Sequence, residues 1–208
     1  MGIRAALARR LLPDERLPSV FELDPKRLRA RGIEGIVFDL DNTLGPWGFQ
    51  RLDERTLGFL ESLRQEGFRL GFLSNHEGDG REELSACLGE RYPVLFQAGK
   101  PRRRGFQTIV KRLGLPPAQV AMVGDQLFTD VLGAKRMGMY TVWVRPVAPE
   151  LEEPSVRVRR AMERALWRLL RPEERRRSRS PLRSEPHRQR QAHVQDGAVE
   201  SREAHKER

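Results

Sequence analysis

Ile36-Val37-Phe38-Asp39-Leu40-Asp41-Asn42-Thr43-Leu44 decides how this chain is read. The first three residues are β-branched or aromatic, so they read as a buried strand. Gly35 precedes them, and Gly45-Pro46 closes the segment as a turn. Asp39 and Asp41 therefore stand where a core strand runs out into a loop. In an open α/β sheet, the ligand crevice lies beyond the carboxyl ends of the strands. Two carboxylates at such a place repel, and desolvation sharpens the conflict. A divalent cation relieves it, and Mg²⁺ takes hard oxygen ligands while keeping waters and substrate phosphate in its shell. One Asp can then act as nucleophile while its neighbour handles protons. The plainer reading of the same nine residues is that Asp41-Asn42 caps the next element and Asp39 caps a loop.

Reading outward, strands alternate with helices. A helix over 53–66 is capped by Asp53, faces Leu57, Leu60 and Leu63 inward and ends at Gly67. The strand Phe68 to Leu73 runs directly into Ser74-Asn75-His76. A helix over 79–89 and a short strand from Tyr92 to Phe96 follow. Lys100 precedes a basic helix that Pro101 opens and that reaches Leu113. Val120 to Val123 is a strand leading into Gly124-Asp125. A helix from about Phe128 to Met137 stops at Gly138, and Tyr140 to Val144 is the last strand. Five strands alternating with helices predict an α/β, Rossmann-like parallel sheet with helices on both faces. The gaps from Thr43 to Ser74 and from Ser74 to Lys100 hold little more than a helix and a strand, so no sizeable cap domain is expected.

The ends of the chain differ from this middle. Residues 1–32 hold a short amphipathic helix (Ile3, Ala6, Leu7, Leu11 and Leu12 against Arg4, Arg9 and Arg10) and a proline-interrupted, irregular lead-in. A short helix near 25–30 is capped by Asp24. The first helix is suited either to lie on anionic lipid or to pack on the domain. The core is expected over 33–150. Residues 151–171 form a cationic helix, with Val158, Met162, Ala165, Leu166, Leu169 and Leu170 set against Arg157, Arg160, Arg164, Arg168 and Arg171. Trp167 suits an interfacial anchor. From 172 to 208 apolar residues become scarce, and a disordered basic tail is expected.

Composition bounds the chemistry. The 208 residues carry a formal net charge of +10, of which the tail contributes +3. A basic body suits anionic partners such as phosphates, anionic lipid or nucleic acid, or solubility charge alone. The single cysteine, Cys87, excludes an intrachain disulfide and fits a reducing compartment. Three of the four histidines lie in the tail, leaving His76 alone in the body. That disfavours a His-rich metal site or a Ser-His-Asp triad within the fold. No apolar run approaches the ~20 residues a membrane span needs. Arg4, Arg9 and Arg10 break up any signal sequence. The expected location is cytoplasmic, with peripheral contact at the inner face of a membrane.

What stands at the strand ends points to phosphoryl transfer, which is mostly positioning and charge neutralisation. Asp39 would attack phosphorus and Asp41 would act as acid and then base. Ser74, with backbone amides, would hold phosphate oxygens, joined on the substrate side by Thr43 and Asn75. Lys100 would neutralise charge at a helix start that itself favours anions. Asp125 and Asp130 would hold Mg²⁺ alongside Asp39. Asp130 is equally suited to orient Lys100.

The ordered set Asp39-Leu40-Asp41-Asn42-Thr43-Leu44, Ser74-Asn75, Lys100-Pro101 and Gly124-Asp125…Asp130 resembles the four motifs of the haloacid dehalogenase (HAD) superfamily of phosphatases. A closer resemblance, to the YqeG-like subfamily of class IIIA, rests on Leu11-Leu12-Pro13-Asp14-Glu15, Gly35 to Leu44 with Trp47, Gly124 to Gly133, Arg136-Met137-Gly138 and Val144-Arg145-Pro146-Val147. It covers about residues 7–171. The resemblance implies a Rossmann-like domain, Mg²⁺ dependence with the Asp41 backbone carbonyl as a further metal ligand, an aspartyl-phosphate intermediate and kinship with phosphatidylglycerophosphate phosphatases. His76-Glu77-Gly78 departs from the Asn-rich loop expected after Ser74-Asn75, which leaves a substrate contact by His76 open. An uncapped site cannot close around a small metabolite but reaches a phosphate on a large object or membrane. Basic helices near anionic lipid add about 1 kcal/mol per residue. The substrate expected is thus a lipid phosphomonoester, best phosphatidylglycerophosphate. The alternatives are a phosphoprotein, a nucleic-acid end, a nucleotide, or a non-catalytic module binding RNA or a GTPase.

Overall fold

In the computed structural model, strands β1 (Glu15–Leu17), β2 (Gly35–Phe38), β3 (Arg69–Leu73), β4 (Val94–Leu95), β5 (Val120–Gly124) and β6 (Tyr140–Val144) form one sheet. Every pairing is parallel, in the order β1-β6-β5-β2-β3-β4. The structure describes residues 3–76, 81–89, 91–152 and 154–170. The predicted tail and the first residues of the predicted helix 79–89 lie outside them. Among the described residues the helices are α1 (Ile3–Leu11), α2 (Pro25–Ala30), α3 (Glu54–Gln65), α4 (Arg81–Leu88), α5 (Arg103–Leu113), α6 (Leu132–Lys135) and α7 (Pro154–Leu170).

The β2 sequence explains its central place. All four residues are buried, between β3 and β5, with Phe38 level with Phe72 and Val123. Alternation divides them between two apolar layers. Ile36 and Phe38 join Leu70, Phe72, Ala121 and Val123 under Leu28, Leu60, Leu63, Leu84 and Leu88. Val37 joins Leu73, Val120 and Met122 under Phe106, Ile109, Val110 and Leu113 of α5. The apolar residues of α5 recur at helical spacing, and Gly114, at φ 64°, closes it in the left-handed conformation.

Several expectations are corrected. The lead-in contains β1, pairing with β6 as a sixth strand. Glu15-Arg16-Leu17 lacks alternation, and the pairing is fixed from outside the strand. Asp14 accepts bonds from the Thr141 amide and hydroxyl, each at 2.8 Å, and from Lys135. Leu57 is 39% exposed, and Thr56 takes an inward place on α3. The helix after Lys100 begins at Arg103, so Lys100 lies on the preceding loop. After β5, Leu127–Val131 forms a π-helical turn before α6, a local widening frequent at functional sites. Of its two expected settings, the first helix takes the one on the domain, against α7 and α6.

The largest correction concerns α7. Val156, Arg160, Glu163 and Leu170 are its buried residues, whereas Val158, Met162 and Leu169 are exposed. The apolar face expected to suit an anionic interface is thus exposed in large part, but Arg160, expected on the cationic face, is inside. Trp167 is no surface anchor. It packs on Trp143, ring centres 6.0 Å apart, with the Arg16 guanidinium 4.4 Å from the Trp167 ring and 4.7 Å from the Trp143 ring.

Candidate active site

The carboxyl ends of β2, β3 and β5 bring the predicted residues to one edge. Asp39 continues the β2 ladder, its amide bonding the Val123 carbonyl at 2.9 Å. Ser74 extends β3 in the same way toward Leu95 at 3.0 Å. Asn75 grips the Lys100 backbone at both ends: its Nδ2 donates to the Lys100 carbonyl at 3.0 Å, and its Oδ1 accepts from the Lys100 amide at 2.8 Å. Lys100 Nζ then lies 2.6 Å from Asp39 Oδ1 and 2.8 Å from Asp130 Oδ1. Gly124 permits this arrangement, since a Cβ there would come within 2.3 Å of Asp130 Oδ2. That Oδ2 accepts from the Gln126 amide at 3.0 Å, holding Asp130 under the strand end.

Asp41 is held separately. Its Oδ1 accepts from the Gly48 amide at 3.0 Å, and its Oδ2 lies 3.4 Å from Ser74 Oγ and 3.2 Å from His76 Nδ1. The departure at His76 thus lands in the site. Thr43 is placed elsewhere than on the substrate: it is buried, and its hydroxyl donates to Asp125 Oδ1 at 3.4 Å. A cavity of about 180 Å³ is lined by Asp39, Asp41, Ser74, Asn75, His76 and Lys100, with Trp47, Gln126, Thr129 and Arg159 completing it. It is smaller than the roughly 300–1,000 Å³ of ordinary small-molecule pockets. Only a small group fits inside it, and anything longer must project outside.

A second buried cation meets the site from α7. Arg160 Nη2 pairs with Asp125 Oδ2, and its Nη1 donates to the Asp125 carbonyl at 2.9 Å. Its Nε donates to Glu152 Oε2 at 2.6 Å. Glu152 also accepts from Asn42 Nδ2 at 2.8 Å. Asn42 itself takes φ 58°, and its backbone and side-chain oxygens accept from Val147 and Ala148. The loop after β2 is thereby tied to the chain after β6. Sequence reasoning missed Glu152, Arg159 and Arg160. Arg160 belongs to the cationic stripe of the sequence reading and Arg159 to no pattern in it, and nothing in the spacing of Glu152 and Arg160 announces a buried pair.

The charges are crowded. Burial pushes the Asp39 carboxyl well above the ordinary carboxylate range, with Lys100 opposing and Asp130 and Asp125 adding to the rise. Burial likewise raises Asp125 to about 6, against the pull of Arg160. For Lys100, burial acts to lower the ammonium, but Asp130 and Asp39 outweigh it and hold it above the usual lysine range. Oxygens of Asp39, Asp125 and Asp130 all lie within 4.8 Å of one another. An all-carboxylate, buried donor set of this span fits a hard divalent cation.

Comparison with known proteins agrees with this geometry. A family model described as HAD-hydrolase-like matches residues 97–146. A probable phosphatase, YqeG, of Bacillus subtilis is 35% identical over 137 residues, covering 66% of this chain and 78% of that protein. The chain belongs to the HAD-like phosphatases. Chloroplastic phosphatidylglycerophosphate phosphatase 1 of Chlamydomonas reinhardtii is 35% identical over 164 residues, covering 73% of this chain but 59% of its own length. A HAD phosphatase of solved structure, from Thermococcus onnurineus, is 33% identical, with a TM-score of 0.41 over 46% of this chain and 47% of that one. As a HAD-like phosphatase, this chain presents an open sheet edge. Residues 39–53 link β2 directly to α3, with no separate domain between them.

Proposed function

We propose that this phosphatase is a Mg²⁺-dependent phosphomonoester hydrolase that works through an aspartyl-phosphate on Asp39. We further propose that its substrate is lipid-borne, phosphatidylglycerophosphate being the first candidate. The observation that carries the chemistry is the convergence of Asp39, Asp41, Ser74, Asn75 and Lys100 on one small cavity. Asp39 attacks phosphorus, and the bond from phosphorus to the ester oxygen breaks. Asp41 delivers a proton to the departing oxygen, then takes one from the water that attacks the aspartyl-phosphate. Phosphate leaves and Asp39 is regenerated. Ser74 and His76 hold the Asp41 carboxyl toward the cavity. Lys100, fixed by Asn75 and Asp130, offsets negative charge beside Asp39. Asp39, Asp125 and Asp130 would hold Mg²⁺, with the Asp41 carbonyl completing the protein ligands; bound there, the ion supplies Lewis-acid charge for the phosphoryl oxygens.

A lipid substrate is supported by the surface around the cavity and by the name of the algal relative. Val158, Met162 and Leu169 form an exposed apolar stripe on α7, flanked by Arg157 and Arg164, a pattern suited to an anionic interface. Trp47 at the cavity wall, Val147 and Leu151 are also exposed. Among the described residues, no helix is long and apolar enough to cross a membrane, so the contact proposed is peripheral.

The test is phosphate release from phosphatidylglycerophosphate in vesicles, with and without Mg²⁺, beside soluble sugar phosphates and nucleotides, with Asp39→Asn as control. Mg²⁺-dependent release favouring the lipid and lost in the variant is expected. Release from soluble esters alone removes the lipid substrate, and release from nothing removes the catalytic reading. For the surface, Val158→Glu with Met162→Glu is expected to weaken sedimentation with anionic vesicles by about tenfold or more. Unchanged sedimentation would reject the stripe.

A further inference from the structure

Arg159 lines the cavity over Asp39 and Asp41, one residue before the Arg160 that anchors α7. Its Nε is shut off from solvent, and among the described residues no hydrogen-bond partner reaches it. The contrast with the other cations is plain. Lys100 is committed to Asp39 and Asp130, and Arg160 to Asp125 and Glu152. Arg159 forms no ion pair among the described residues, although carboxylates line the same cavity. A guanidinium carries five donors in a planar fork that matches two oxygens of a phosphate or carboxylate. A buried donor left unsatisfied is costly, so a ligand oxyanion that meets it is bound with a large gain.

We infer that Arg159 recognises a second anionic group of the substrate, a phosphodiester carried beside the phosphate that is removed. This rests on the lipid-phosphate reading above and narrows it to headgroups with two phosphates. Two features favour the phosphodiester. The charge of the scissile phosphate is already met by Lys100 beside Asp39, so Arg159 is surplus to a simple monoester. On α7, moreover, Arg159 stands between the buried face and the exposed apolar stripe. A group bound there lies on the path from the cavity to a lipid surface, where the phosphodiester of a glycerophospholipid headgroup would sit. Because Arg160 fixes the helix at Asp125, Arg159 is held at a set distance from the reacting carboxylates. It acts as a specificity residue on the cavity wall.

The test uses three soluble monoesters, which separates Arg159 from membrane docking. Glycerol 3-phosphate has no second anion, 3-phosphoglycerate adds a carboxylate, and glycerophosphoglycerol phosphate adds a phosphodiester. In the full-length protein with Mg²⁺, the preference in kcat/KM for the phosphodiester compound over glycerol 3-phosphate is expected to fall about 10- to 100-fold in Arg159→Ala. Arg159→Lys, which keeps the charge without the fork, is expected to retain part of it. A matching fall with the carboxylate compound would assign Arg159 to oxyanions in general and overturn the phosphodiester. An equal loss on all three esters, or an unchanged preference, would overturn the inference outright. Binding of the same compounds to Asp39→Asn protein, with and without Arg159, separates the two levels. Arg159-dependent binding of the phosphodiester compound without turnover in the unmutated protein sinks the phosphatase reading and keeps this one. Turnover without Arg159-dependent discrimination does the reverse.

Discussion

Two buried cations sit at the same edge of the sheet and make opposite lessons. Lys100 bridges Asp39 and Asp130, and Arg160 bridges Asp125 and Glu152. The first bridge joins residues that each follow a core strand. The second joins the strand-end Asp125 to the last helix and its approach. The Lys100 bridge faces the cavity, so its charge is available to a substrate; Arg160 does not line that cavity. We therefore expect Lys100 to govern rate and Arg160 to govern the assembly of the fold around Asp125.

Substitution should pull these roles apart. The largest effect is expected from Lys100→Met, with phosphate release falling about 10²- to 10³-fold, the scale of losing one preorganised charge at a reacting centre. A variant that releases phosphate at near the original rate would remove Lys100 from the chemistry. Arg160→Met is expected to cost about 3–5 kcal/mol of stability, because Asp125 and Glu152 lose their buried counter-charge. Denaturant unfolding measures this. Adding Glu152→Gln should recover part of the loss, since one stranded carboxylate is gone. If Arg160→Met slows turnover without loosening the fold, the two bridges share one role.

Glu163, also on α7, gives a smaller and pH-dependent effect. Burial raises its carboxyl to about 7, although it accepts a bond from the Phe128 amide at 2.9 Å and has Arg160 nearby. The folded protein therefore holds this proton when the unfolded chain has released it. Stability from this group is fully present below the ordinary glutamate value and is lost as pH rises from there to about 7. Glu163→Gln keeps the acceptor and removes the charge. It is expected to stabilise the protein at pH 8, by up to about 3 kcal/mol, and to change little at pH 4. An equal effect at both pH values would refute the buried charge. The smallest effect is expected far from either bridge. Asp53 caps α3 by accepting from the Thr56 amide at 2.7 Å, and Asp53→Ala should cost about 1 kcal/mol with unaltered turnover. That variant calibrates what a purely structural loss does to the assay.

The same division separates what was legible in the sequence. β2, β3 and β5 are apolar runs with punctuation at each end, and each delivers its polar residue at the next position. Asp39, Asp41, Ser74, Asn75, Asp125 and Asp130 could therefore be placed by chain order alone. β1 could not, because Glu15-Arg16-Leu17 is held by the Asp14 side chain and by Arg16 against two tryptophans. The buried charges of α7 stayed hidden for a related reason. Periodicity sorts a helix into an apolar and a charged face, whereas this one buries Arg160 and Glu163 because partners await them. Ion pairs across 35 residues leave no trace in local pattern. The π-helical turn at Leu127–Val131 was equally silent, since it serves the position of Asp130 and no propensity encodes it.

The route by which Arg160 reaches Asp125 bears on the order of biosynthesis. A chain leaves the ribosome amino end first, and its domains fold as their residues emerge. The six described strands and the carboxylates Asp39, Asp41, Asp125 and Asp130 are all synthesised before residue 145, while the guanidinium that neutralises Asp125 comes later. Until Arg160 emerges, the nascent sheet must keep Asp125 protonated, hydrated or unburied. The site is thus finished by one of the last described parts to be made, and a chain interrupted between β6 and α7 carries the phosphatase motifs with Asp125 lacking its buried partner.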